Sequence, residues 1–215
     1  MFLSKLEVNP MRRQSRRLLS DPQAMHAVIM KTCNPNEGER ILWRIDETDS
    51  SIDLYIVSPQ TPDVHTLNDQ IGWENQDPEI ADYDGLLNSL ENDQKYAFRL
   101  TANPTHVSTE NGVKKRYGHV TIEQQKNWFL RKASQHGFKI RKLGKPEFDD
   151  PHDLVVHDRK VKTFRRQGKT VTLNVASFSG SLEVTDAELL RTALVMGIGR
   201  AKAYGCGLLT LARLS

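Results

Sequence analysis

Between residues 197 and 207 the chain reads Gly-Ile-Gly-Arg-Ala-Lys-Ala-Tyr-Gly-Cys-Gly, and Leu208-Leu209-Thr210-Leu211-Ala212 follows without a break. Four glycines in these eleven residues leave much of the backbone without Cβ, free to turn through positive φ and to lie close against a partner. A helical pattern precedes the run and a strand pattern follows it, so any fold must seat a tight helix-to-strand connection here. Arg200 and Lys202 put two cations into that connection. Exposed N–H groups beside positive charge suit a phosphate-rich ligand. A bare chain reversal is the competing reading, since glycine runs are weak motifs. The run is neither a Walker loop, because GxxxxGK[ST] is missing, nor GxGxxG, because position 202 is lysine.

The rest of the chain falls into two similar passes. Residues 2–8 alternate as a strand that stops at Asn9-Pro10, where proline removes a ladder donor. Asp21 and Pro22 supply an N-cap and a first helical residue, and Met25, Val28, Ile29 and Thr32 then share one helical face. Residues 40–46 and 51–57 read as strands around a turn, and 63–71 as a weak helix. The acidic, poorly patterned stretch 72–93 reads as a linker with room for a short edge strand. The second pass opens with a strand at 95–101 that again closes on Asn-Pro, at Asn103-Pro104. A polar loop carrying Lys114, Lys115 and Arg116 leads into a helix at 121–135, with Ile122, Gln125, Phe129 and Ala133 toward one side and Gly137 as its stop. A strand at 138–143 follows, then a long hairpin, 155–166 with 169–178, turning at Gln167-Gly168. Strand character at 182–184, a helix at 186–196 with Leu189, Leu190, Ala193 and Leu194 inside, the glycine run and a strand at 208–214 complete it. Each half reads β-α-β-β-α-β, which predicts an α+β chain of two tandem ferredoxin-like (RRM-like) domains, residues 1–90 and 91–215. Neither half carries the RNP aromatic signature, so base stacking on an open sheet face is not expected.

With 215 residues, 38% hydrophobic and 27% charged, the chain is expected to be globular with a real core. No run approaches the ~18 apolar residues of a spanning helix. The first residues lack a basic n-region followed by an apolar h-region, so neither a membrane segment nor a signal peptide is expected. Cys33 and Cys206 lack CxxC spacing; they offer no disulfide framework and no thiolate zinc site, and they point to the cytoplasm.

The net charge of +3 is mild, so placement matters more than the sum. Cations gather in four places: Arg12, Arg13, Arg16 and Arg17; Lys114, Lys115 and Arg116; Arg159, Lys160, Lys162, Arg165, Arg166 and Lys169; and Arg200 with Lys202. The third group decorates the long hairpin at near-alternating spacing. A two-stranded ribbon can follow a nucleic-acid groove while its cations neutralise phosphates. A solvated edge hairpin blocked by lysines is the alternative.

His26 is the catalytic candidate. Imidazole exchanges protons near neutrality, and a place near a helix N-terminus favours its neutral form. RNA carries its own nucleophile, the 2′-hydroxyl. A base, a cation and an acid for the leaving group therefore suffice, with no metal. Lys31, in the same helix, could supply charge, as could Lys202 or Arg200 from the loop. A surface histidine with no role is the competing reading. Asp149, Asp150, His152, Asp153, His157 and Asp158 offer groups that a divalent cation takes. They lack a regular spacing such as HExxH, so no metal and no cofactor are expected.

These residues also carry a family resemblance. The run at 197–212 is joined by Phe98-Arg99-Leu100-Thr101-Ala102-Asn103-Pro104, Trp128 with Arg131-Lys132, Phe178-Ser179-Gly180-Ser181-Leu182 with Asp186-Ala187, and Leu3-Ser4-Lys5 ahead of the His26 helix. Together they resemble the CasE (Cse3) family of type I-E CRISPR RNA-processing endoribonucleases, over essentially the whole chain. The resemblance implies two ferredoxin-like domains and metal-independent cleavage of precursor CRISPR RNA at the 3′ base of each repeat stem-loop. It implies attack by the 2′-hydroxyl, leaving a 2′,3′-cyclic phosphate or 3′-phosphate and a 5′-hydroxyl. It implies retention of the product and other Cascade subunits as partners, the backbone subunit above all. The family's helix histidine falls on His26, its stem-gripping hairpin on residues 159–169, and its loop lysine on Lys202, beside Gly199 and Arg200. Some members place a tyrosine three residues before the histidine; here Gln23 stands there and cannot ionise. The second proton transfer then falls to another group, such as Tyr204 or a lysine, or His26 acts with positional help alone. A non-catalytic RNA-binding subunit and a metal nuclease built on the 149–158 loop are the alternatives.

Overall fold

The structure is a computed structural model that describes residues 1–110, 112–144 and 151–214. The first unit contains β1 (Phe2–Glu7), α1 (Arg13–Ser20), α2 (Pro22–Cys33), β2 (Leu42–Glu47), β3 (Ile52–Ser58), α3 (Val64–Ile71) and β4 (Glu79–Asp82). Its sheet is antiparallel in the order β2-β3-β1-β4. After α4 (Asp84–Asn88) come β5 (Lys95–Ala102), β6 (Thr105–Glu110), β7 (Val113–Gly118), α5 (Ile122–Gln135), β8 (Phe138–Ile140), β9 (Leu154–Arg166), β10 (Lys169–Val184), α6 (Ala187–Met196) and β11 (Leu209–Arg213). The second sheet runs β11-β5-β10-β8, with β9 paired to β10. Within each unit the last strand lies beside the first and the third beside the second, as the ferredoxin-like βαββαβ order requires. No helix among the described residues is long and apolar enough to cross a membrane.

Local chemistry accounts for the element ends that the sequence marked. The Asp21 carboxylate accepts from the N–H groups of Gln23 and Ala24 at 2.9 and 3.2 Å, and Pro22 fills the first helical position of α2. Thr121 and Gln124 form a capping box at the start of α5. In α2, Met25, Ile29 and Cys33 are buried against Leu6, Trp43, Leu54 and Ile56 of the sheet. Strand β2 alternates: Trp43 joins that helix-side core, whereas Leu42 joins the core of the second unit. Tyr83, Leu87 and Leu90, around α4, are buried in that same second core.

Several elements depart from the sequence reading. Arg13, Arg16 and Arg17 lie on a helix, α1, with Arg12 at its N-cap, and the buried Ser15 of that helix donates to the Ile71 carbonyl at 3.1 Å. Thr105–Glu110 and Val113–Gly118 pair as the strands β6 and β7 where a loop was expected. The 72–93 stretch supplies the edge strand it had room for, β4, which pairs with β1, and in addition the helix α4. Ile122 and Leu189, expected inside, are 46% exposed. Strand β8 is short, and β10 runs on to Val184 so that it pairs with both β5 and β8.

Beyond the sheet, β9 and β10 continue as a two-stranded ribbon, paired from Lys160↔Val175 to Arg166↔Lys169, with an irregularity in register between Val175 and Ser177. Gln167 and Gly168 turn it with φ of 47° and 76°, the positive pair that a two-residue hairpin turn needs.

Candidate active site and nucleic-acid interface

The ribbon is held to the glycine loop by its apolar underside. Phe164, Val171, Leu173 and Val175 cluster with Tyr204 and Cys206, and the Phe164 and Tyr204 rings lie 4.6 Å apart. The loop closes in a short 3-10 turn, Lys202–Tyr204, that touches α2, β2 and the ribbon's companions. Glycine is needed here for two reasons at once. Gly205 has φ 77°, and a Cβ on it would stand 2.8 Å from the Trp43 ring; Gly199 has φ 81°, and its Cβ would stand 3.1 Å from Trp128 Cζ2.

This packing brings the ribbon tip to α2. His26 is half-buried, and its Nδ1 is buried with no hydrogen-bond partner. Burial, first, and the charge of Arg166, second, hold its pKa below the ordinary histidine value. One turn earlier on α2, Gln23 Oε1 accepts a 3.4 Å hydrogen bond from the Tyr204 hydroxyl. An imidazole held neutral on α2 thus lies within the field of a ribbon guanidinium, and the preceding turn of the same helix meets a phenol from the glycine loop. Lys31 is exposed and lies ~140° around the helix axis from His26, at 3.6 residues per turn.

The remaining candidate cations divide by what they touch. Arg159 donates to Gln125 Oε1 at 3.0 Å and to the Val120 carbonyl, and Lys160 pairs with Glu47 at 2.6 Å; both fasten the ribbon's base. Lys162, Arg166 and Lys169 share the face of Phe164, whereas Arg165 is on the opposite face. Lys202 is not the cation that His26 feels. Burial and Arg40 lower the pKa of Lys202, and Lys202 in turn acts on His136 at the C-cap of α5. Gly199 and Arg200 line the same groove as Lys202, together with Arg116 of β7. Lys115 pairs with Glu110 at 3.1 Å, and Lys114 is exposed. At the N-cap of α1, Arg12 contacts the Asp69 carbonyl and Glu74; within the helix, Arg16 donates to the Met11 carbonyl at 2.8 Å, and Arg13 and Arg17 are exposed.

Of the 149–158 loop, Asp149 and Asp150 lie outside the described residues. His157 makes hydrogen bonds at 2.8 Å to Asp158 and 3.2 Å to Ser179, and Asp153 accepts from Ser181, so these groups tie down the hairpin base.

Sequence reasoning missed Arg44. It is 2% exposed on β2, and all five of its N–H bonds are engaged. Two go to Asp46 at 2.7 and 2.8 Å, and three cross to the second unit, to Arg99 O, Leu208 O and Thr210 Oγ1, each at 3.0 Å. Its only sequence signal is a charge at an inward position of an alternating strand.

Two ferredoxin-like units carrying a basic ribbon, a glycine-rich loop and a helix-borne imidazole define the class of RNA-handling proteins built on this fold. A family model described as "CRISPR associated protein" matches residues 1–213. The chain is 32% identical over 219 residues to the CRISPR-associated endoribonuclease Cse3 of Thermus thermophilus, covering 99% of this chain and 100% of that relative. It is 33% identical over 118 residues to the CRISPR system Cascade subunit CasE of Escherichia coli, covering 54% of this chain and 57% of that one. A solved structure of CRISPR endoribonuclease Cse3 bound to 19 nt RNA superposes with a TM-score of 0.81 at 28% identity, covering 99% of this chain and 100% of its own. The chain belongs to the CasE (Cse3) family of CRISPR-associated proteins.

Proposed function

We propose that this protein is a metal-independent endoribonuclease that cuts precursor CRISPR RNA at the 3′ base of the repeat stem-loop. The observation that carries this reading is the packing of the ribbon and of the glycine-loop turn against α2, which places half-buried His26 within the field of Arg166 on the ribbon that would grip the stem. The relatives support it: one is named an endoribonuclease, and a solved one holds RNA.

The chemistry follows from the groups present. His26 takes the proton from a ribose 2′-hydroxyl, and the 2′-oxygen attacks the adjacent phosphorus. The bond from phosphorus to the 5′-oxygen breaks in line, giving a 2′,3′-cyclic phosphate, which can open to a 3′-phosphate. The leaving 5′-oxygen takes a proton, and the Tyr204 hydroxyl beside Gln23 is the donor we assign. Arg166 offsets charge on the phosphorane oxygens, while Lys162, Arg165 and Lys169 hold the stem and Lys31 adds field from α2. The cut RNA stays on the ribbon, and the protein carries it into Cascade in the cytoplasm, as the Cascade subunit CasE among its relatives suggests.

The test is incubation of a repeat hairpin with the protein in EDTA. The expected products carry a 2′,3′-cyclic phosphate or 3′-phosphate and a 5′-hydroxyl. Binding without cleavage would make the chain a non-catalytic subunit, and cleavage lost to EDTA would assign a metal.

A further inference from the structure

Among the described residues, strands β6 and β7 contribute no buried side chain, so core packing does not explain them. They do wall one side of a groove of about 540 Å³ whose other walls are α5 and the glycine loop. His106, Arg116, Lys132, His136, Arg200 and Lys202 line it, and no carboxylate is among its described lining residues. Arg131 extends the basic wall along α5. Among the described residues, Arg116, Lys132, Arg200 and Lys202 make no ion pair with a carboxylate. Two of these charges act on a neighbour in the groove: after burial, Lys132 and Lys202 depress the pKa of His136. A groove that gathers cations without acids is built for a polyanion.

A second observation selects which polyanion. Tyr117, His106 and His119 form a ladder of rings, with His106 in the middle, 5.9 Å from Tyr117 and 4.7 Å from His119. His106 is exposed at the groove wall, and Tyr117 is 38% exposed. Exposed rings beside a basic track hold unpaired bases, because any base can stack on a π-face while its backbone follows the cations. Paired bases in a stem present no free face to such a ring, and an acidic protein surface has no use for it.

The groove also adjoins the reacting centre. Tyr204 turns to Gln23 of α2, while Lys202, two residues earlier in the same turn, lines the groove. The one turn therefore separates α2 on its Tyr204 side from the groove on its Lys202 side. We infer that this groove binds the single-stranded RNA next to the cleaved phosphodiester, with its phosphates on Arg116, Lys132, Arg200 and Lys202 and a base stacked on the ring ladder that His106 holds together. The inference rests on the reading of this chain as a repeat-RNA nuclease.

The test uses uncleavable RNAs with a 2′-deoxy sugar at the cut. Fluorescence anisotropy compares a hairpin trimmed at the stem base with the same hairpin carrying a single-stranded 5′ or 3′ flank. The wild-type protein should bind at least one flanked RNA more tightly. The double variant His106→Ala/Lys132→Gln should bind the trimmed hairpin like wild type and the flanked RNA about tenfold more weakly than wild type does. His106→Ala alone, at an exposed position, keeps the test open if the double variant melts, and should lose part of the same advantage. Equal wild-type affinity for trimmed and flanked RNA would overturn the inference. So would an equal loss on both RNAs in the variants, which would give the groove to the stem. Failure of wild type to bind any hairpin would instead overturn the nuclease reading itself.

Discussion

Replacing Arg44 by methionine should remove about 3–5 kcal/mol of stability, the cost of breaking a buried ion pair from one side. The side chain is 2% exposed, and its departure strips both Asp46 oxygens of their closest donor. Arg99 Nε, 3.3 Å from Asp46, compensates in part. Thr210 still donates to Arg99 O at 3.4 Å, so the acceptor most exposed to loss is Leu208 O, at the start of the last strand. Methionine fills much of the volume, so cavity formation is not the main effect. Arg44→Lys restores the charge but at most three donors in place of five, and should fall between wild type and Arg44→Met. Urea titration followed by circular dichroism measures the loss, and native stabilities of 5–15 kcal/mol make about 4 kcal/mol a large shift of the midpoint. Arg44 reaches across to the strand that leaves the glycine loop, so the same variant should also weaken RNA binding. A loss below about 1 kcal/mol would refute the argument that this guanidinium joins the two units.

Other consequences follow from the site. Burial and Arg166 both hold His26 neutral, so cleavage should persist below the ordinary histidine range near 6.5 and fall only as pH drops through the lowered pKa. Arg166→Gln removes one of the two causes, so the acid limb of the single-turnover rate, measured with enzyme in excess, should move to higher pH; an unmoved limb would separate the ribbon tip from the imidazole. Gly199→Ala forces a side chain into positive φ and onto the Trp128 ring, and should lower stability by roughly 1–3 kcal/mol in a thermal melt. A neutral outcome there would mean that the loop yields freely.

Much of the architecture was legible because the chain obeys short-range rules. Asp21-Pro22 announced a helix start, Gly137 a helix stop, and Gln167-Gly168 a hairpin turn, and the structure has each. The misses have physical causes. Strands β6 and β7 are solvated on both faces, so they lack the apolar alternation by which a strand is read. Helix α1 buries little more than Ser15 and Leu18, too short a stripe to show a helical period. Ile122 and Leu189 follow a helical period yet lie on exposed turns, because periodicity gives a face and not its depth. At the site, His26 was singled out by its chemistry, but Arg166 and Tyr204 could not be paired with α2 from letters alone. Each lies more than a hundred residues away, and the packing of Phe164 on Tyr204 is what brings them together.

The central claim is that the α2 imidazole makes the cut while the ribbon holds the stem. The most direct measurement is single-turnover cleavage of a labelled repeat hairpin by His26→Ala in EDTA, with binding of the same RNA measured in parallel. The account predicts that cleavage is lost by a factor of at least about 100, the lower end of general-base contributions, while affinity stays near wild type. Cleavage at the wild-type rate by this variant would contradict it.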